Sequence, residues 1–295
     1  MPLIMPVRPL RRGSWRFQAV LAGLVFFLFY FYRYPSLPKN WVYGALREVS
    51  RWGMEFKTRS WLEMENNYFV VRYQPGDEKA AALVLDTAEK VRGPVTGLLG
   101  ARLPGKVLIL VYPDRGSLAR SFGWAAGANA MGVYWMGVIR VLSPSDWLEG
   151  TGGKGVAEEF LHNGPMAHEL THLLVDYLAA GNYPRWLTEG LAEYVDRSVT
   201  GFEFPQPART DTGYGLAEMD SGFDLLPDQS KAYWQALAFT EYLSGQKGLR
   251  PWLEVLASLG RGTELQEAML KAFGAKPAQL EAAFWRRQGQ VAKAG

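Results

Sequence analysis

Apolar positions along the chain follow three regimes. A continuous run comes first, Phe17 to Tyr32 (FQAVLAGLVFFLFYFY), with no charge and one strongly polar residue, Gln18. Trp41–Trp61 follows with Trp41, Leu46, Val49, Trp52 and Phe56 spaced for one helical face. Such a helix either lies on a membrane surface or packs on the body of the protein. Short runs then read as strands: Tyr68–Tyr73 (YFVVRY), Lys106–Tyr112 (KVLILVY), and 131–142 (MGVYWMGVIRVL), the last as a hairpin folded about Met136–Gly137. Between them Glu78–Leu99 carries Ala82, Leu85, Ala88 and Val91 at helical spacing. Helical patterns dominate beyond residue 165: Pro165 to about Leu178, a helix starting near Pro184, and three or four helices over 231–288. One of these opens at Thr263-Glu264-Leu265-Gln266, a capping-box pattern. Residues 200–230, rich in Gly, Pro and Asp, predict a long loop. Strands precede helices, so the expected class is α+β and not a doubly wound α/β sheet.

The first run spans roughly 24 Å as a helix, a little short of a hydrocarbon core of about 30 Å. Trp15, Tyr30, Tyr32 and Tyr34 suit the two interfaces, and Arg16 and Arg33 extend the reach by snorkelling. Four arginines precede the run, and only Arg33 and Lys39 follow closely. The positive-inside rule then predicts a single-pass protein of the cell membrane, with a cytoplasmic N-terminus and an extracytoplasmic body. A cleavable signal peptide is the rival reading. The sequence after the run, RYPSLPKN, offers no small-x-small site and favours an uncleaved signal-anchor. The expected organisation is a basic tail and anchor over 1–34, a juxtamembrane linker and amphipathic helix over 35–64, and one domain over 65–290.

Charge sharpens this division. The chain of 295 residues carries a formal net charge of +3, but residues 1–34 hold five arginines and no acid. The remainder has 27 basic against 29 acidic residues, so the basic balance belongs to the tail and argues against a nucleic-acid partner. The absence of cysteine excludes a disulfide scaffold, a thiol nucleophile and a cysteine-ligated metal. The glycine-rich stretch 150–155 (GTGGKG) lacks the spacing of a phosphate-binding loop.

Two of only three histidines lie in His168-Glu169-Leu170-Thr171-His172, an H-E-x-x-H pattern on a predicted helix. Residues four apart share a helix face, so both imidazoles can ligate one metal while Glu169 accepts a proton from water. A catalytic zinc needs a third protein ligand. His162 sits before a Gly-Pro break and is unsuitable, so a carboxylate must serve. The segment Tyr183–Tyr194 (YPRWLTEGLAEY) offers Glu189 and Glu193, four apart: one can bind metal and the other orient an imidazole.

H-E-L-T-H followed by P-R-W-L-T-E-G-L-A-E-Y resembles the gluzincin metallopeptidases, and within them the bacterial peptidase MA-like proteins. Thermolysin and the zinc aminopeptidases are distant members. The resemblance extends over about 65–290 through weaker segments, Ala232–Ala236 and 272–285. It implies a zincin-like (thermolysin-like) fold: a small mixed sheet followed by a helical C-terminal part. It implies one Zn2+ held by His168, His172 and Glu189, with Glu193 supporting His168. The sixteen residues between His172 and Glu189 are slightly fewer than is usual in the aminopeptidases. It further implies hydrolysis of a peptide or protein substrate with Glu169 as general base. Tyr233 is the candidate oxyanion donor, against its reading as an ordinary core or surface aromatic. Gly132–Trp135 or Val138–Leu142 is expected to edge the cleft and pair with an extended substrate. The competing function is a non-catalytic, zinc-stabilised binding or envelope-assembly protein. The presence of Glu169 argues against it, because a structural site needs no base.

Overall fold

Helix α1 (Ser36–Lys57) leads into strand β1 (Leu62–Glu65), which pairs antiparallel with β2 (Phe69–Tyr73). The turn between them is held by Asn66, whose Oδ1 accepts from the amides of Tyr68 and Phe69, both at 2.8 Å. Helix α2 (Glu78–Leu98) crosses over to β3 (Val107–Tyr112), parallel to β2. Helix α3 (Arg115–Phe122) then leads to a hairpin of β4 (Gly132–Trp135) and β5 (Val138–Leu142). Met136 and Gly137 have φ of 48° and 85°, the positive values that a two-residue hairpin turn requires. β5 inserts parallel to β3, giving the order β1-β2-β3-β5-β4 with β4 at the edge. This computed structural model describes residues 36–124, 130–148, 154–207 and 212–294, with helical positions scattered between 21 and 29.

All of β3 and β5 is buried because the sheet is covered on both faces. Val107, Ile109 and Val111 face the main core with α2, while Leu108, Leu110 and Tyr112 face a second cluster with Met54 of α1 and Leu118 of α3. The helical half follows as α4 (Lys154–Asn163), α5 (Met166–Ala179), α6 (Arg185–Thr200), α7 (Leu216–Gly222), α8 (Gln229–Ser244), α9 (Arg250–Gly260), α10 (Leu265–Phe273) and α11 (Pro277–Ala294). Edge-to-face rings tie it together: Trp186 meets Trp252 and Phe239, and Phe239 meets Phe284. The class is α+β, a small mixed sheet followed by helices.

Several expectations are corrected. The loop expected over 200–230 contains α7, a short helix set by burial of Leu216, Met219 and Phe223 and not by propensity. The capping box at Thr263 does not form; the cap position falls on Glu264, without a side-chain cap. In α2 the buried stripe is Ala81, Val84, Ala88, Val91 and Val95, and Ala82 is exposed. Small and β-branched residues let that helix approach the sheet closely. β1 and α3 were not legible as elements. The expected span Phe17–Tyr32 lies outside the described residues apart from scattered positions, as do residues 150–153 of the glycine-rich stretch. Among the described residues no helix is long and apolar enough to cross a membrane.

Helix α1 docks through its polar side. Asn40 Nδ2 donates to the Leu259 carbonyl at 3.1 Å, and Tyr43 and Arg47 reach Asp176 of α5. The face carrying Trp41, Leu46, Val49, Trp52 and Phe56 is exposed.

Helices α6 and α8 cross at Gly190, where a Cβ would clash with Thr240 Oγ1 and the Ala236 carbonyl. Glycine costs helix α6 about 1 kcal/mol against alanine, so close approach and not propensity explains it. Gly190→Ala is expected to destabilise the fold by about 2 kcal/mol through overpacking, read as a lower midpoint in urea unfolding.

Candidate metal centre

Helix α5 carries His168 and His172 one turn apart, with their Nε2 atoms 3.0 Å from each other. The chain reverses through Ala180 in the left-handed conformation, and α6 packs back against α5. This brings Glu189 Oε2 to 3.3 Å from His168 Nε2 and 3.4 Å from His172 Nε2. Four-coordinate ligands at about 2.0–2.1 Å from a metal stand about 3.3 Å apart, so the three atoms have the spacing of one ion's ligands. Glu189 is 1% exposed, and its Oε2 receives no hydrogen bond of good geometry. A buried carboxylate oxygen facing two imidazole nitrogens fits a divalent cation, and the N,N,O set suits zinc.

Supporting groups come from the same turns. His172 Nδ1 lies 2.6 Å from Thr188 Oγ1; donation there leaves the Nε2 lone pair facing the cluster. His168 Nδ1 faces Glu193 Oε1 at 3.6 Å. Arg185 Nε lies 2.7 Å from Glu189 Oε1. Glu169 is buried, and its Oε2 accepts from the Tyr134 amide of β4 at 2.5 Å. The edge strand beside the histidine helix is therefore β4, Gly132–Trp135; β5 is interior. Tyr233 is half-buried on α8 between Phe204 and Phe223. The Arg185 guanidinium lies beside its hydroxyl, so Tyr233 stands next to the residue that pairs with Glu189. His162 lies apart, its Nδ1 2.8 Å from the Thr200 carbonyl.

Residues 152–288 match the family model described as the Peptidase MA superfamily. That segment is similar to the Peptidase MA superfamily. His168, Glu169, His172 and Glu189 all lie within it, whereas the sheet precedes it. No curated protein matches the chain. Among solved structures it is similar to Legionella pneumophila aminopeptidase A in complex with aspartic acid. That match has 10% identity and a TM-score of 0.48, covering 76% of this chain and 28% of the other. The chain thus spans less than a third of that protein's length.

Thr188, Arg185 and Tyr134 were not anticipated at this centre. Arg185 had a signal, a base four residues before Glu189 on one helix. Thr188 and Tyr134 act through contacts distant in sequence and had none. Without metal the cluster is strongly coupled. Burial disfavours the His168 cation, but the adjacent Glu189 carboxylate and the charges of Glu193 and Glu169 outweigh it and push His168 up to about 10. Burial opposes ionisation of Glu189, yet His172 and Arg185 hold it well below the usual carboxylate range. Burial raises Glu193 to about 7 and Asp196 to about 6, against the opposing charge of His168.

A metal entering this site must displace the proton on His168. Zinc affinity of the metal-free protein is therefore expected to rise with pH between 6 and 9, approaching about tenfold per unit. Calorimetry in buffers of different ionisation enthalpy reads the accompanying proton release.

Proposed function

We propose that the chain is a membrane-anchored zinc peptidase of the gluzincin type, acting outside the cytoplasm. The observation that carries this reading is Glu169. It is a buried carboxylate adjacent in sequence to a ligating imidazole and held by the amide of the edge strand. Zinc bound by His168, His172 and Glu189 would polarise a peptide carbonyl and acidify water.

The chain's own residues supply the rest. The Tyr134 amide fixes one oxygen of Glu169, which orients the carboxylate to take a proton from the attacking water and deliver it to the leaving amine. Strand β4 offers an outer edge to which an extended peptide can add as a further strand. Burial and the charge of Glu189 raise the Tyr233 hydroxyl above its usual range, so it stays protonated and able to donate to an oxyanion. Arg185 positions that hydroxyl, and Glu193 faces and orients His168. Residues 17–32, uncharged behind an arginine-rich flank, are the anchor, and the positive-inside rule puts the catalytic domain on the extracytoplasmic side.

Glu169→Gln is expected to retain one zinc per chain while cleavage of a peptide library falls by about 10²–10⁴-fold. Mass-spectrometric profiling with metal analysis on the same samples measures both. Wild-type protein that holds one zinc but cleaves nothing in the library would favour the non-catalytic binding protein.

A further inference from the structure

Between Trp41 and Phe56, every fully exposed position of α1 is uncharged. Trp41, Val42, Leu46, Val49, Trp52 and Phe56 are each 54–67% exposed, and the other exposed positions on this stretch, 45 and 53, are Ala and Gly. At about 100° per residue the whole set falls within an arc of about 140°. Exposed lysines close the stripe at both ends, Lys39 and Lys57, and the Arg59 guanidinium lies 4.0 Å from the centre of the Phe56 ring. The acids of the helix are turned aside: Glu48 and Glu55 pair with Arg51 at 3.1 and 2.9 Å. Helix α1 is thus inverted relative to an ordinary surface helix. Its polar side meets the protein and its apolar side faces out.

We propose that this face lies in the headgroup–acyl boundary of a lipid bilayer, bearing the domain on the membrane. The inference rests on reading residues 17–32 as an anchor. The four residue steps from Tyr32 to Ser36 reach at most about 14 Å, so helix α1 starts close to where that run ends. Among the described helical positions of the run, Leu21, Val25, Phe26 and Phe29 are likewise apolar and 48–70% exposed. One apolar phase bordered by basic residues accounts for both segments, and the flanking lysines suit anionic headgroups. The polar side is bonded to Asp176 on the helix that carries both histidines, so lipid contact would fix the orientation of the cleft to the bilayer.

The chain has no native cysteine, so single labels can be placed cleanly. Val49→Cys, Trp52→Cys and Phe56→Cys, each with a nitroxide, are studied in the full chain reconstituted into phosphatidylcholine/phosphatidylglycerol vesicles. Lys90→Cys on α2, across the sheet, is the reference. At positions 49, 52 and 56, collisions with oxygen are expected to exceed those with a water-soluble nickel chelate several-fold, with the reverse at 90. Nickel access equal to that at position 90, in protein that floats with the vesicles, overturns the docking and leaves the anchor standing. Exclusion of both reagents overturns it in favour of a second copy of the chain covering the face. Failure of the full chain to float with vesicles overturns both anchor and docking.

Discussion

Glu189 is a carboxylate placed where water cannot reach it, and the helical half is organised around neutralising it. An isolated buried charge costs several kcal/mol. One oxygen meets Arg185 and the other meets two imidazoles, so nearly every neighbour is cationic or can become so. The close crossing at Gly190 presses α6 against α8, and the reversal at Ala180 presses it against α5. Position and charge of Glu189 are therefore fixed before any metal arrives. A divalent cation in the same place would replace the proton on His168 and complete the compensation.

A second buried carboxylate stands on the histidine helix, α5. Asp176, with no exposed surface, accepts from Tyr43 at 2.7 Å, Tyr183 at 3.0 Å, Tyr134 at 2.6 Å and Arg47 at 2.9 Å. With both carboxylate oxygens of Asp176 satisfied, this buried network rigidifies what it joins. Here it joins α1, the edge strand, the α5–α6 linker and the histidine helix. Tyr134 is bound at both ends of its own residue, with its hydroxyl on Asp176 and its amide on Glu169. The edge strand and the proposed base are thereby held in one register.

The parts legible in the sequence are those where local spacing carries the information. His168, Glu169 and His172 fall on one helical turn, and Glu189 with Glu193 repeats the same i, i+4 logic on the next helix. The hairpin at Met136–Gly137 and the buried β3 were readable for the same reason. What stayed hidden depends on contacts far apart in sequence. Thr188 meets His172 across two helices, and Tyr134 reaches Glu169 across 35 positions. Helix α7 is stabilised by burial of its apolar side chains and by Glu281, which accepts from the Leu216 amide, within a composition that favours loops. The outward turn of α1's apolar face was open in sequence, because spacing defines a stripe without saying which side the protein occupies.

Zinc-edge X-ray absorption on the zinc-loaded chain tests the central claim most directly. With no cysteine and only three histidines, the possible coordination shells are few. One zinc per chain is expected, with two imidazole nitrogens and a carboxylate oxygen at about 2.0–2.1 Å and a light-atom fourth ligand. A shell with three imidazoles, or a chain that holds no stoichiometric zinc, would contradict it.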